Sequence, residues 1–235
     1  VLHEWQTDSL ASAVANNAQI EGDEIGFSAP SATTRVNNRT QISRKSVIVT
    51  GTLDSVSKAG RNNELAYQIS KASKELKRDM ESSLCANNSP VVGDDSTARE
   101  LAGLAGWIQQ NNDAGAGGAN GQVNSVDVPG TARTDGTQRA FTESQLKSVI
   151  KKCWDEGGDP SMIMLGSFNK QVLSGFTGGS TRFDPAENKR LVAAVDVYES
   201  DFGAMTVVPN RFQRARDVFV LQPDMFATAF LRDFQ

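Results

Sequence analysis

The first 57 residues contrast with the helix predicted to follow them, and this contrast most constrains the fold. Residues 1–57 are polar, turn-rich and β-prone, with too few large apolar side chains to build a core. Residues 61–84 then carry an apolar stripe at helical spacing, which predicts an amphipathic helix of about six turns. The stripe consists of Leu65, Ile69, Ala72, Leu76, Met80 and Leu84. A long helix preceded by an arm that cannot bury itself predicts a subunit that completes its fold on its neighbours.

The length and composition allow a substantial core. The chain has 235 residues, 38% of them hydrophobic, which suits one large domain or two small ones. No apolar run approaches the roughly 18–20 residues needed to cross a bilayer, so we predict no membrane segment. Val1-Leu2-His3-Glu4-Trp5 does not resemble a signal peptide. Because the chain begins without methionine, we expect a processed or incomplete product.

The charge of the chain argues against tight DNA binding. The net charge is -4 and the pI is about 5.1, whereas proteins that grip nucleic acid usually present a large basic patch. The clearest basic groupings are small: Arg35, Arg39, Arg44 and Lys45, and Lys147, Lys151 and Lys152. Mild acidity permits coexistence with DNA and would keep a container from sticking to its contents.

Local patterns predict an α+β order of elements. Before the long helix, residues 33–42 and 47–53 are predicted to form the two strands of a polar hairpin, with Ser57 or Asn62 capping the helix. After it, helices are predicted over 97–110, 142–154 and 168–176, and 111–136 is predicted to be a long flexible stretch. Strands are predicted at 162–165, 192–198, 205–208 and 218–221, and a last strand or short helix at 225–231.

The sequence offers little that resembles catalytic chemistry. His3 is the only histidine, and no pattern around it matches a metal site or a nucleophile–base pair. Cys85 and Cys153 match no CxxC spacing and are predicted to be reduced. The glycine-rich run 115–121 lacks the lysine of a phosphate-binding loop and is predicted to be a flexible loop tip. We therefore predict no catalytic residue, no metal site and no cofactor.

Three stretches together resemble tailed-bacteriophage major capsid (head) proteins with the Hong Kong 97 fold. They are residues 2–10 around His3-Glu4-Trp5, residues 60–81 of the long helix, and residues 196–203 followed by Val208-Pro209-Asn210-Arg211-Phe212. Residues 219–232 also fit, so the resemblance runs in order along most of the chain. Members of the family look longer at both ends, and the middle, 86–140, fits least well.

The resemblance implies a domain organisation. Residues 1–57 would be the N-terminal arm and an extended hairpin loop. Residues 58–111 would be a peripheral domain containing the long spine helix, and 112–210 an axial domain, with 115–121 as its tip loop. Residues 211–235 would form a strand returning to the peripheral domain.

The same resemblance implies an assembly function. Copies of the chain would form pentamers and hexamers in an icosahedral shell in the virion, assembled in the host cytoplasm. Expected partners are other copies, a portal protein, a decoration protein, and packaged double-stranded DNA bound without sequence specificity. The predicted inter-subunit contacts are Trp5, Arg35, Arg39, Arg44 and Lys45, although Trp5 could instead pack within its own chain. Alternatives are an encapsulin-like compartment shell, a hydrolase, and an adhesive surface-binding module.

Overall fold

The computed structural model describes residues 2–56, 59–60, 63–122, 130–176 and 195–232. The elements run in an α+β order, as predicted. They are β1 (Leu2–Thr7), β2 (Thr34–Arg39), α1 (Gly51–Ser55), α2 (Glu64–Leu84), α3 (Leu104–Trp107), α4 (Glu143–Asp155), β3 (Met162–Leu165), α5 (Ser167–Ser174), β4 (Val197–Ser200), β5 (Gly203–Pro209) and β6 (Val218–Leu221). A 3-10 turn, Pro223–Met225, follows β6.

The first two strands form an antiparallel hairpin with a long connection. Their register runs from Leu2 opposite Arg39 to Thr7 opposite Thr34, and residues 8–33 between them form neither helix nor strand. The predicted pairing of 33–42 with 47–53 is therefore wrong. The second predicted strand, 47–53, ends in helix α1 instead. Thr50 caps this helix, because the Thr50 Oγ1 accepts a hydrogen bond from the Leu53 N–H at 3.4 Å.

The long helix is confirmed from Glu64 to Leu84. Its N-cap is Asn63, whose Oδ1 accepts a hydrogen bond of 2.9 Å from a backbone N–H of the first turn. Arg61 and the predicted caps Ser57 and Asn62 lie outside the described residues. The capping asparagine satisfies a donor that the first helical turn would otherwise leave without a partner.

A four-stranded mixed sheet in the order β4-β5-β3-β6 forms the centre of the second half. Strand β3 runs parallel to β5 and antiparallel to β6, and β4 pairs antiparallel with β5. The predictions for β3 and β6 are confirmed to the residue, and β5 extends its prediction at both ends. The prediction for 192–198 is confirmed only from Val197, and 192–194 lie outside the described residues. Strand β6, expected in the returning segment, pairs with β3.

Both faces of this sheet are covered by apolar side chains. On one face, helices α4 and α5 pack against β3 and β5 around a buried cluster of Leu146, Ile150, Ile163, Leu165, Leu173, Met205 and Val207. On the other face, Ala105 of α3 packs with Phe219 and Leu221 of β6. Among the described residues, no apolar side chain before Cys85 is buried. The core of the protein therefore belongs almost entirely to its second half.

The helix predicted over 97–110 is wrong in extent, since only the single turn of α3 forms. The preceding residues run alongside β2 instead. The Asn38 carboxamide donates to the Ala102 carbonyl at 3.3 Å and accepts from the Ala102 N–H at 3.0 Å. Glu100 forms a β-bridge with Val91. These tertiary hydrogen bonds occupy backbone groups that a helix would need.

The glycine-rich run, predicted to be a flexible loop tip, contacts residues 131–137. A Cβ on Gly115 would lie 2.1 Å from the Thr137 carbonyl oxygen, and one on Gly121 would lie 2.4 Å from that of Thr131. Only glycine allows two backbones to approach so closely. The prediction of a strand or helix at 225–231 is also wrong, since only the 3-10 turn reaches into it, as far as Met225.

Candidate assembly surface

The connection between β1 and β2, residues 8–33, is exposed along its whole length. It carries large apolar side chains in water, with Leu10 and Phe27 99% and 98% exposed and Val14, Ile20 and Ile25 also open. Monomeric proteins rarely leave such a concentration of apolar side chains uncovered. This segment, called here the long loop, is therefore a candidate surface for contact with another chain.

A second uncovered region lies on the first turns of α2 and the segment before it. Leu65 and Ile69 of the predicted apolar stripe are 45% and 52% exposed. Ile48 and Leu53 are exposed as well, and a groove runs between residues 45–53 and α2. The apolar stripe of α2 is thus only partly covered by its own chain. The apolar face of this amphipathic helix is therefore not buried in the core of its own chain.

Trp5, a predicted contact residue, packs within its own chain and keeps an open edge. Its ring centroid lies 5.2 Å from that of Trp107 and 5.6 Å from that of His3. The side chain nevertheless remains 37% exposed. Both readings of Trp5 are compatible with this position, so its role as an anchor against a neighbour stays a prediction.

The four predicted basic contact residues occupy different environments. Lys45 forms an ion pair of 2.6 Å with Asp79 of α2, and this hydrogen bond raises the pKa of Lys45. Arg35 lies 3.9 Å from Glu4 on the exposed hairpin, and Arg39 is partly buried. Arg44 is exposed and forms no ion pair within the described part of the chain. The Lys45–Asp79 pair was not predicted, because it joins residues that are distant along the chain.

Asn210 joins α2 to the sheet, a role that sequence reasoning missed. Its amide nitrogen donates to Glu81 Oε1 at 2.6 Å and lies 3.4 Å from both the Cys85 and Met164 sulfurs. Its Oδ1 accepts from the Phe212 N–H at 2.8 Å. The Val-Pro-Asn-Arg-Phe motif contained this residue, but its partner Glu81 lies 129 positions earlier. The carboxamide fixes the C-terminal end of the long helix to the end of β5.

The cysteines are poorly suited to nucleophilic chemistry. Both are free thiols. Burial, followed by the nearby Glu81 carboxylate, raises the pKa of Cys85 to about 11, and burial also raises the pKa of Cys153. A thiol must ionise to attack, so the raised pKa of each group disfavours nucleophilic attack near neutral pH.

Charged side chains gather at the turn before β6. Asp135 forms ion pairs with Arg214 and with Arg216, the latter at 3.2 Å, and Arg214 Nε lies 3.4 Å from Asp217. Burial raises the pKa of Asp217 above its ordinary value despite the arginine beside it. The cluster ties residues 135–136 to the turn leading into β6, a structural role.

The described ranges contain neither a metal-binding cluster nor a membrane-spanning helix. There, no group of three or more histidine, cysteine or carboxylate side chains is placed to hold a metal ion. No helix of that part of the chain is long and apolar enough to cross a membrane. What the geometry does offer is a large uncovered surface before Cys85.

Comparison with known proteins gives two matches. A model of the SU10 major capsid protein family matches residues 1–235. The chain is also 26% identical to the major capsid protein of Escherichia phage Phieco32, in a match that covers 97% of this chain and 74% of that protein. The match includes the exposed N-terminal segment as well as the buried sheet.

Proposed function

This chain belongs to the SU10 major capsid protein family, and we propose that it forms pentamers and hexamers in an icosahedral head shell. The match of the family model to residues 1–235 carries the proposal, since it gives the chain the structural role of a tailed-phage capsid protein. The role requires no catalytic group. Family membership favours this function over an encapsulin-like compartment, a hydrolase or an adhesive module.

The proposed fold is that of Hong Kong 97. The long helix α2 would be the spine of a peripheral domain spanning 58–111, and the sheet with α4 and α5 would lie largely in an axial domain spanning 112–210. Residues 211–235 would complete the fold. Residues 1–57 would be the arm and extended loop, with the long loop 8–33, between β1 and β2, as the extended part.

In the proposed shell, the long loop of each subunit lies across an adjacent subunit. Contact would remove its apolar side chains from water, and each square ångström of apolar surface covered contributes roughly 25 cal/mol. Obligate interfaces of this kind commonly exceed about 2,000 Å². Trp5, Arg35, Arg39, Arg44 and Lys45 would contribute to the contacts around this loop. The apolar side chains of the long loop would therefore be buried only in the assembled particle.

The proposed partners follow from the same role. Other copies of the chain supply most contacts, and a portal protein and a decoration protein would bind the assembled shell. Packaged double-stranded DNA would lie inside without sequence-specific binding, which suits a chain of net charge -4. Assembly would take place in the host cytoplasm before the shell becomes part of the virion.

The proposal is tested by removing the long loop without disturbing the hairpin. Thr7 and Thr34 are opposite each other, so replacing 8–33 with Asn-Gly would close a two-residue turn in the same register. Wild-type protein should form closed shells in negative-stain electron microscopy, and this variant should remain unassembled with unchanged helix content by circular dichroism. A matched control, Ser12→Ala/Asn16→Ala, alters only polar loop residues and should assemble normally. Shells formed by the Asn-Gly variant would contradict the proposed role of the loop.

A further inference from the structure

Asn120-Gly121 is the only Asn-Gly pair in the sequence and lies at the end of the glycine-rich run. An asparagine before glycine can lose its side-chain amide without an enzyme. The next backbone nitrogen attacks the carboxamide carbon, and glycine has no side chain to hinder the approach. The packing requires glycine here, since a Cβ on residue 121 would lie 2.4 Å from the Thr131 carbonyl oxygen. The fold therefore keeps a reactive dipeptide at this position.

The Asn120 side chain is held through its oxygen. Asn120 Oδ1 accepts a hydrogen bond of 2.9 Å from Asn112 Nδ2 and one of 3.3 Å from Arg133 Nη2. Within the described part of the chain, Asn120 Nδ2 has no acceptor. The residue is exposed, so water reaches it. The amide nitrogen is thus free to leave, and two donors, one of them charged, lie at the oxygen on which negative charge would develop.

The backbone nitrogen of Gly121 is also free, whereas nearby backbone nitrogens are hydrogen-bonded. The Ala119 N–H donates to the Thr134 carbonyl at 3.1 Å, and the Gln122 N–H donates to Thr131 Oγ1 at 2.9 Å. The Gly121 N–H has no acceptor among the residues that the structure describes. Loss of its proton would therefore break no hydrogen bond in that part of the fold.

We infer that Asn120 is a site of spontaneous deamidation, promoted by Arg133 and Asn112. The Gly121 N–H gives its proton to solvent, and its nitrogen bonds to Asn120 Cγ while negative charge forms on Oδ1. The Cγ–Nδ2 bond then breaks, and Nδ2 takes a proton from water and leaves as ammonia, which leaves a cyclic imide. Water adds to one of the two imide carbonyls and opens the ring to aspartate or isoaspartate. No oxidant or reductant takes part.

The surroundings of residue 120 favour aspartate as the product. Isoaspartate would add one carbon to the backbone between Ala119 and Gly121. Ala119 is fixed by a β-bridge to Thr134, and Gly121 is held in close contact with the segment beside it. Aspartate leaves the backbone unchanged, and its carboxylate would strengthen the hydrogen bond from the Arg133 guanidinium. The modification would thus add one negative charge to each subunit without disturbing the bridge.

Timed incubation of the full chain at mildly alkaline pH tests the site. Mass spectrometry of the proteolytic fragment containing Asn120 should show loss of ammonia and gain of water, faster than at any other asparagine of the chain. Asn120→Gln should remove this change, because it keeps the amide but moves it away from the attacking nitrogen. Arg133→Leu should slow conversion at Asn120 at least about threefold, since a charged donor no longer stabilises the oxyanion. The matched control Arg44→Leu, at an exposed arginine elsewhere, should not.

A second variant, Asn112→Ala, removes the other donor and should also slow conversion, with native near-ultraviolet circular dichroism in every variant. The ratio of aspartate to isoaspartate should exceed that of a synthetic peptide of residues 116–124, in which nothing fixes the backbone. An amide that persists at Asn120 while other asparagines convert would overturn the inference. Unchanged or faster conversion in both Arg133→Leu and Asn112→Ala would overturn it as well, because the two hydrogen bonds would then restrain the side chain. A ratio equal to that of the peptide would overturn aspartate as the favoured product.

Discussion

The segment before Cys85 and the region from Ala102 to Leu221 differ in the burial of their apolar side chains. In the later region, the sheet buries them on both faces, and Ile150, Ile163 and Leu165 are inaccessible to solvent. In the earlier region, apolar side chains as large as that of Phe27 are exposed to solvent. Under the proposed function, the stability of the subunit and the stability of the shell therefore depend on different stretches of one chain. One stretch should be sensitive to mutation in the monomer, and the other only in the particle.

The largest expected effect comes from truncating the sheet core. Leu165→Ala removes a fully buried side chain from the cluster between β3 and the helices, and we expect it to lower the free energy of unfolding by about 2–5 kcal/mol. Leu10→Ala, the same chemical change in the long loop, should alter it by less than about 0.5 kcal/mol. Urea unfolding of unassembled subunits measures both. Equal losses from the two variants would erase the distinction between the regions.

A smaller effect is expected at the junction between the regions. Asn210→Ala removes one of the donors to the Glu81 carboxylate and leaves the Phe212 N–H without its acceptor, so we expect a loss of about 1–3 kcal/mol in the free energy of unfolding. Asn16→Ala, in the exposed loop, is the matched control and should have no measurable effect. A loss confined to near-ultraviolet circular dichroism, with unfolding unchanged, would instead show that the junction orients α2 without stabilising it.

The smallest effect is a pH dependence within the later region. Burial raises the pKa of Asp217 in the folded state, so the folded state holds this proton more tightly than the unfolded state does. Stability from this group is therefore present below its unfolded pKa and is lost as pH rises through the folded pKa. Asp217→Asn should flatten that decline in urea titrations between pH 4 and about 7. Parallel curves for wild type and variant would show that the arginines beside Asp217 offset its burial.

The sequence predicted the elements whose signal is local. Strand β3 and strand β6 are short apolar runs between turns, and α4 begins at the capping box of Thr142 and Gln145. The partner of β2 was misassigned because register depends on a strand about thirty residues earlier, which local pattern does not reveal. The helix over 97–110 was overestimated because the side chain of Asn38 competes for its backbone.

The candidate assembly surface was likewise predicted only where its sequence signal is local. An N-terminal region unable to bury itself was visible from composition, and its basic residues were identified individually. The long loop as a separate exposed unit was not visible, since its limits are set by the pairing of Thr7 with Thr34. The link through Asn210 depends on residues brought together only by the completed sheet.

Because the core lies late in the chain, its position also determines the order in which segments are synthesised and buried. A ribosome makes a chain from its N-terminus towards its C-terminus at about 5–20 residues per second, so the long loop is made before the strands of the sheet. Strand β3 must then wait for β5 and β6, which follow it by about 40 and 55 residues. In the proposed shell, the long loop would thus be made before the sheet but covered after it. During synthesis a chaperone would therefore have access to the long loop for longer than to the strands of the sheet.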